Sequence, residues 1–152
     1  LQDDRPYEIF TGKIEEDAMY IPRKITKGWI IKVHEPDGSK RYDFQYVDRY
    51  GYTNTIGGIS RLFNEEFWNY AKLISGVLRH GMPIDKVVHL IDGLHLNSES
   101  INTWKNGVQR ALKQYIADGT KSKDKCPQCG QEEMAYQNGC LTCMSCGYSK
   151  CG

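Results

Sequence analysis

The segment CPQCGQEEMAYQNGCLTCMSCGYSKCG, residues 126–152, contains all six cysteines of a 152-residue chain. It holds two CxxC motifs, each followed by a glycine. Two thiolates three residues apart grip one metal ion through a tight turn, and the glycine lets the backbone aim its amides at the sulfurs. Four such sulfurs are typical of a closed structural zinc site. The predicted ligands are Cys126, Cys129, Cys143 and Cys146.

Other interpretations of the cysteines differ in their support. Iron in a rubredoxin-like site has similar geometry and stays open. A disulfide framework is disfavoured, because the rest of the chain has no cysteine and nothing indicates secretion. Binding to nucleic acid is disfavoured too, since residues 121–152 carry four lysines against three acidic residues, with no basic stripe to follow phosphates.

Two cysteines, Cys140 and Cys151, remain once the metal has four ligands, and this pattern favours thiol chemistry. The insert between the CxxC motifs suits a hairpin with its turn at Asn138-Gly139. We call the turn of each CxxC motif a knuckle. If the strands on either side of the last knuckle pair residue 143 with residue 146, the two spare cysteines are offset by about 7 Å along the strands. We therefore expect proximity without an obligatory bond, on one side of the ribbon near the zinc sulfurs, with at least one thiol accessible.

Residues 1 to about 60 are predicted to be β-rich. Residues 29–34 and 41–46 are rich in β-branched and aromatic residues and flank Asp37-Gly38, which indicates a hairpin. A further short strand is predicted at Tyr7–Gly12, between a proline and a glycine.

Residues 64–119 change to a helical period. Asn64 is a predicted N-cap, and Phe63 and Trp68 have the spacing of a hydrophobic staple, with Gly81 ending that helix. Further helices are predicted from Ile84 to Ile91 and from about residue 100 to 117. The sequence thus predicts an α+β fold. A hairpin-rich N-terminal part packs with about three helices (domain 1–120), a linker follows at 121–125, and a small zinc ribbon at 126–152 ends the chain.

Composition excludes several classes of protein. Hydrophobic residues make up 39% and charged residues 26%, which suits a packed core rather than disorder. The net charge of +1 gives no broad attraction to nucleic acid or membranes. No run approaches the roughly 18 apolar residues of a membrane span, and no signal peptide opens the chain, so we expect a cytoplasmic protein. The start, LQDDRPYEIF, has no methionine, as though cut from something longer.

The ending CPxCG…GCxTCxxCGYSKCG, here residues 126–152, resembles the cysteine-rich C-terminal domain of adenosylcobalamin-dependent (class II) ribonucleotide reductases. The stretch from Gly57-Gly58-Ile59 through LISGVLRHG at 73–81 to Leu90-Ile91-Asp92-Gly93 resembles the helical TSCPD-type domain of the same enzymes. Arg5–Phe10 is similar to the segment that follows their catalytic barrel. The resemblance covers nearly the whole chain.

This resemblance implies the C-terminal fragment of a ribonucleoside-diphosphate reductase, without the barrel that holds adenosylcobalamin and the radical cysteine, since no cysteine precedes Cys126. It implies that Cys140 and Cys151 relay reducing equivalents to the active-site disulfide by thiol exchange. The expected partners are the barrel, an external protein or small-thiol reductant, and another copy in a homo-oligomer. The fragment alone should be inactive and should bind no cobalamin. The alternative is a non-catalytic zinc-ribbon module that binds protein or nucleic acid.

Overall fold

The computed structural model describes residues 1–14, 18–95 and 99–151, without the side chains of 99–102. The α+β prediction is confirmed. Two compact units are formed, Leu1–Ile9 with Lys72–Gly152, and Phe10–Ala71. The elements are β1 (Trp29–His34), β2 (Lys40–Val47), β3 (Thr53–Ile56), α1 (Ile59–Leu62), α2 (Glu65–Arg79), α3 (Ile84–Asp92), α4 (Glu99–Lys113), β4 (Met134–Gln137), β5 (Cys140–Cys143) and β6 (Ser149–Lys150).

The first sheet has the order β1-β2-β3 and is antiparallel throughout. The predicted hairpin is confirmed, with Trp29 opposite Gln45 and His34 opposite Lys40. Gly38 at φ 81° supplies the left-handed conformation that its turn requires. β3 and α1 were not predicted, because four-residue elements are too short to show a period.

An aromatic cluster supports this sheet within the Phe10–Ala71 unit. Phe10 lies 5.1 Å from Tyr42 and 5.9 Å from Trp68 between ring centroids. Phe63 and Trp68 are 5.5 Å apart, as the staple prediction requires. Asn64 Oδ1 accepts the Glu66 N–H at 3.1 Å, so the predicted N-cap is confirmed.

The prediction of a strand at Tyr7–Gly12 is wrong, because the structure has no strand there. The Ile9 N–H donates to Ser75 Oγ at 3.0 Å, and the same hydroxyl donates to the Ile9 carbonyl at 3.2 Å. The Ser75 side chain of α2 therefore satisfies both backbone hydrogen-bonding groups of Ile9, which do not need a neighbouring strand. Nearby, Arg5 donates to the carbonyls of Leu78 and Met82 at the C-terminal end of α2.

The predicted helices are confirmed as α2, α3 and α4. α4 ends at Lys113, before the predicted 117, because Tyr115 and Ile116 donate to carbonyls three residues back, a tighter turn. None of the helices formed by the described residues has the length and apolar character that a bilayer-spanning segment requires. Their buried apolar residues in the larger unit are Ile74, Leu78, Ile84, Val87, Val88, Ile91, Trp104, Val108 and Leu112.

The segment that follows α4 runs beside β4. The Gly119 N–H donates to the Tyr136 carbonyl at 2.8 Å, and the Tyr136 N–H donates to the Thr120 carbonyl at 2.9 Å. Lys121 forms an isolated bridge with Ala135. Part of the predicted linker thus contributes hydrogen bonds to the edge of the second sheet. The division into 1–120, 121–125 and 126–152 stays a prediction.

Candidate metal centre and disulfide

The metal centre is built on the β4–β5 hairpin. Its turn at Asn138 and Gly139 has φ 50° and 75°, two left-handed residues in succession, as the Asn-Gly pair predicts. The Asn138 N–H donates to Asp118 Oδ1 at 2.7 Å. A Cβ on Gly139 would lie 3.4 Å from the backbone of Gln114, so the turn is close to the chain just after α4. Apart from the Asn-Gly pair itself, no local sequence pattern indicates these contacts with Asp118 and Gln114.

The four predicted ligands come together. Their sulfurs all lie within 4.8 Å of one another, with Cys126 and Cys146 3.6 Å apart and Cys129 and Cys143 3.7 Å apart. Four sulfurs at 2.3 Å from a tetrahedral ion would be about 3.8 Å apart, so the cluster has the dimensions of a zinc or iron site. Cys126 and Cys143 are buried, whereas Cys129 and Cys146 are exposed.

The two knuckles have equivalent backbone turns. The Gly130 N–H donates to the Cys126 carbonyl at 2.8 Å, and the Gly147 N–H donates to the Cys143 carbonyl at 2.9 Å. These glycines have φ of 74° and 77°, a region that other residues enter only with strain. The glycine after each CxxC motif is therefore required by the turn that aims the amides at the sulfurs.

The electrostatics of the cluster favour a cation. Burial raises the pKa of the Cys126 thiol, but the amide N–H groups of Cys129 and Gln128 and the neighbouring thiols outweigh it and lower this pKa to about 6. The Gln131 amide favours the Cys129 thiolate, yet burial and the neighbouring thiols prevail and raise its pKa to about 12. The cluster thus holds a first negative charge readily at Cys126, whereas the raised pKa of Cys129 opposes a second charge there unless a positive ion lies among the sulfurs.

One face of the second sheet carries the buried sulfurs. Cys126, Met134 and Cys143 form a buried cluster, against which Leu141 and Tyr148 pack. Met134 is opposite Cys143 in the β4–β5 pair. This small core is built around two of the four cysteines placed to hold a metal ion, with Met134, Leu141 and Tyr148 as its other apolar members.

Cys140 and Cys151 form a disulfide, with their Cα atoms 4.4 Å apart. The expected two-residue offset is wrong, because Leu141 is opposite Lys150 and Thr142 is opposite Ser149. The Cys143 N–H donates to the Tyr148 carbonyl at 2.7 Å, so residue 143 pairs with 148 and the turn between them contains four residues. The strand register is therefore shifted by two residues from the expected pairing of 143 with 146. Continuing this register places Cys140 opposite Cys151 in a non-hydrogen-bonded pair, the closer of the two antiparallel spacings.

The disulfide faces away from the buried metal ligand. Cys140 and Cys143 lie three residues apart in β5, so their side chains point to opposite faces, about 10 Å apart along the strand. Strand alternation thus separates Cys140 from Cys143, and the expected closeness of the spare cysteines to the other zinc sulfurs stays a prediction. Cys140 is half-buried and Cys151 is exposed, so the expected accessibility of at least one of them is confirmed.

Comparison with known proteins gives a family for most of the chain. The model of the family described as "NrdJ homologue C-terminal domain" matches residues 1–117. A 61-residue alignment, 41% identical, links the chain to DNA-directed RNA polymerase I subunit RPA12 of Saccharomyces cerevisiae. It covers 32% of this chain and 49% of that protein, so the chain spans about half the length of this curated relative.

No solved structure matches the chain. The family match extends over more than three quarters of the sequence and agrees with the resemblance to the C-terminal region of class II ribonucleotide reductases. The described residues add four cysteines placed to hold a metal ion. The chain belongs to the NrdJ homologue C-terminal domain family.

Proposed function

We propose that this chain is the C-terminal region of an adenosylcobalamin-dependent ribonucleotide reductase and relays reducing equivalents to its active site. The observation that carries the proposal is the Cys140–Cys151 disulfide, which stands apart from the four-cysteine cluster. A structural zinc site uses four thiolates, and this chain keeps a further pair that can alternate between dithiol and disulfide.

The relay is a two-electron exchange. In the reduced chain, the exposed Cys151 thiolate attacks one sulfur of the active-site disulfide and forms a mixed disulfide, which frees one active-site thiolate. Cys140 then attacks Cys151, which releases the second active-site thiolate and re-forms the Cys140–Cys151 bond. Two protons pass to the released thiolates. An external protein dithiol or small thiol reduces the Cys140–Cys151 bond again and is itself oxidised.

The metal has a structural role in this proposal. Cys126, Cys129, Cys143 and Cys146 would hold zinc, which closes the two knuckles and so fixes β5, the strand that presents Cys140. Adenosylcobalamin supplies the radical chemistry in the parent enzyme, where the catalytic barrel would bind it. The cytoplasm provides the reducing partners that such a cycle requires.

The relay is tested in the longer enzyme that contains this chain. Cys140→Ser and Cys151→Ser should each keep zinc yet lose multiple turnover with a protein reductant. A single turnover from a pre-reduced active site should survive, because the relay acts only between cycles. Ser149→Ala, in β6 two residues before Cys151, is the matched control and should turn over normally. If both cysteine variants turn over like the parent, the pair has no relay function.

The alternative is a non-catalytic zinc ribbon that binds protein or nucleic acid. Its support is the partial similarity to a protein named as an RNA polymerase subunit. Counting thiols on the zinc-loaded chain separates the two proposals. Two thiols that appear on mild reduction and disappear on oxidation favour the relay. Thiols that stay inert while zinc is bound favour the binding module.

A further inference from the structure

Strand β1 is an edge strand with unpaired backbone groups. The sheet order is β1-β2-β3, and the Glu35 N–H donates to the Ser39 carbonyl at 3.0 Å, which sets the alternation of the ladder. The odd-numbered residues of β1 therefore bond to β2. Ile30, Lys32 and His34 direct their N–H and C=O groups outward, and in the part of the chain that the structure describes no backbone group pairs with them.

Several apolar side chains of this strand are also exposed to solvent in part. Trp29 is 56% exposed, and Ile30 and Ile31 are each 37% exposed. Proteins usually protect such an edge with charges, prolines, bulges or a covering segment. Among the residues that the structure describes, Lys32 is the one such device on β1, and Trp29, Ile30 and Ile31 stay exposed. An apolar edge strand of six residues is thus a template for pairing with another strand.

We propose that two copies of this chain pair their β1 strands in antiparallel fashion about a two-fold axis at Ile31, which joins their sheets into one. Ile30 of one copy and Lys32 of the other then exchange both backbone hydrogen bonds, so the outward groups of these two residues find partners. On one face, Ile31 meets its own equivalent and Trp29 meets Val33. A two-fold arrangement is self-complementary, as homodimer interfaces are.

Charge and overlap select this register. Centring the axis on Lys32 would place two lysines directly opposite each other, which destabilises a strand pair. Centring it on Ile30 avoids that repulsion but leaves only residues 29–31 overlapping. Centring it on Ile31 separates the lysines and keeps residues 29–33 paired, so apolar side chains oppose apolar side chains at the axis.

The opposite edge of the sheet does not compete. β3 has four residues, TNTI, and its outward residues are Thr53 and Thr55, since Asp48 bonding to Tyr52 places the even-numbered residues toward β2. Both threonines are exposed and polar. A short polar edge has little to gain from pairing, so the interface is specific to β1.

Sedimentation equilibrium of the zinc-loaded 152-residue chain tests the interface. We expect a dimer at tens of micromolar. Ile30→Pro removes an outward N–H while leaving the β1–β2 bonds intact, and it should be monomeric. Thr55→Pro removes an outward N–H at the opposite edge and should dimerise like the parent. Zinc content and circular dichroism report whether each variant folds.

A second variant keeps the proposal testable if proline disturbs β1. Ile31→Lys places two like charges at the axis and should raise the dimer dissociation constant at least about tenfold. In the parent, the amides of Ile30 and Lys32 should exchange hydrogen slowly at high concentration and fast on dilution. A parent chain that stays monomeric up to about 0.5 mM overturns the proposal, as does dimerisation of both β1 variants with parental affinity.

Discussion

The two sheets of this protein share one topology but depend on different sources of stability. Both are three-stranded and antiparallel, with strands in sequence order. The first has strands of six, eight and four residues backed by Phe10, Tyr42, Phe63 and Trp68. The second has strands of four, four and two residues, and its buried cluster includes two of the four cysteines placed to hold a metal ion. A sheet this small cannot bury enough apolar surface to fold, so cross-links replace the missing core.

The largest expected effect removes the cross-link of the second sheet. Cys126→Ser takes away a buried ligand, and structural zinc contributes about 10–16 kcal/mol of binding free energy to small domains. We expect loss of metal and unfolding of the ribbon, while the first sheet persists. Elemental analysis measures the metal, and amide NMR spectra report on each sheet separately.

Ser145→Ala is the matched control, since Ser145 lies exposed inside the second knuckle and is not a ligand. It should keep the metal and the ribbon. Two results would contradict the comparison: freshly purified, reduced parent protein without any metal, or a Cys126→Ser variant whose ribbon resonances stay dispersed.

The converse experiment removes part of the aromatic support of the first sheet. Trp68→Ala should lower the free energy of unfolding of that unit by about 3 kcal/mol, the low end for tryptophan because the side chain is half-buried. Tyr52→Ala is the control, because Tyr52 is 71% exposed and its truncation should lower the free energy of unfolding far less than Trp68→Ala does. Urea denaturation measures both. Metal released from Trp68→Ala in native buffer would show that the two sheets do not have separate supports.

A buried carboxylate makes the first sheet sensitive to acid. The Arg41 guanidinium and then the Gly58 N–H lower the pKa of Asp43 below its usual value. Arg41 Nε lies 2.9 Å from Asp43 Oδ1, and the Gly58 N–H lies 2.7 Å from the same oxygen. A carboxyl whose folded pKa is lowered stabilises the fold above its unfolded pKa of about 3.9, and this contribution is lost as pH falls toward the folded value.

We expect Asp43→Asn to lower the free energy of unfolding by about 1–3 kcal/mol at pH 7. The urea midpoint of this variant should also fall less between pH 5 and 3 than that of the parent. Asp37→Asn on the same hairpin is the control, because Asp37 is exposed and an asparagine keeps the acceptor for the Ser39 N–H, so this variant should change the midpoint less than Asp43→Asn. If the urea midpoint of Asp43→Asn falls with acid as it does in the parent, this carboxylate does not contribute to the acid sensitivity of the first sheet.

Local sequence signals predicted much of both sheets. Asp37-Gly38 and Asn138-Gly139 fix their turns because few residues accept positive φ, and each CxxC motif followed by glycine fixes a knuckle. The N-cap at Asn64 depends only on neighbours in sequence. These features were predictable because the interactions that determine them span a few residues.

Features set by distant partners were not predictable. Ile9 is not in a strand because Ser75, far along the chain, takes both its backbone groups. The pairing of Cys140 with Cys151 depends on whether the last knuckle encloses two or four residues, and the spacing alone allows either. A two-residue difference in register decided between a separated pair and a disulfide.

The smallest expected effect concerns that disulfide. A metal ion in the proposed site would fix Cys143 and Cys146, so reduction of Cys140–Cys151 should free only the last few residues. The free energy of unfolding should then fall by less than about 1 kcal/mol. Reduction should speed hydrogen exchange of the Lys150 amide in β6, which bonds across to Leu141. The Tyr136 amide, which donates to Thr120, should exchange as before, and zinc should stay bound. Cys151→Ser should behave like the reduced parent. If reduction instead releases the metal or exposes Tyr136, the disulfide and the metal hold the second sheet jointly, and its stability cannot be assigned to the metal alone.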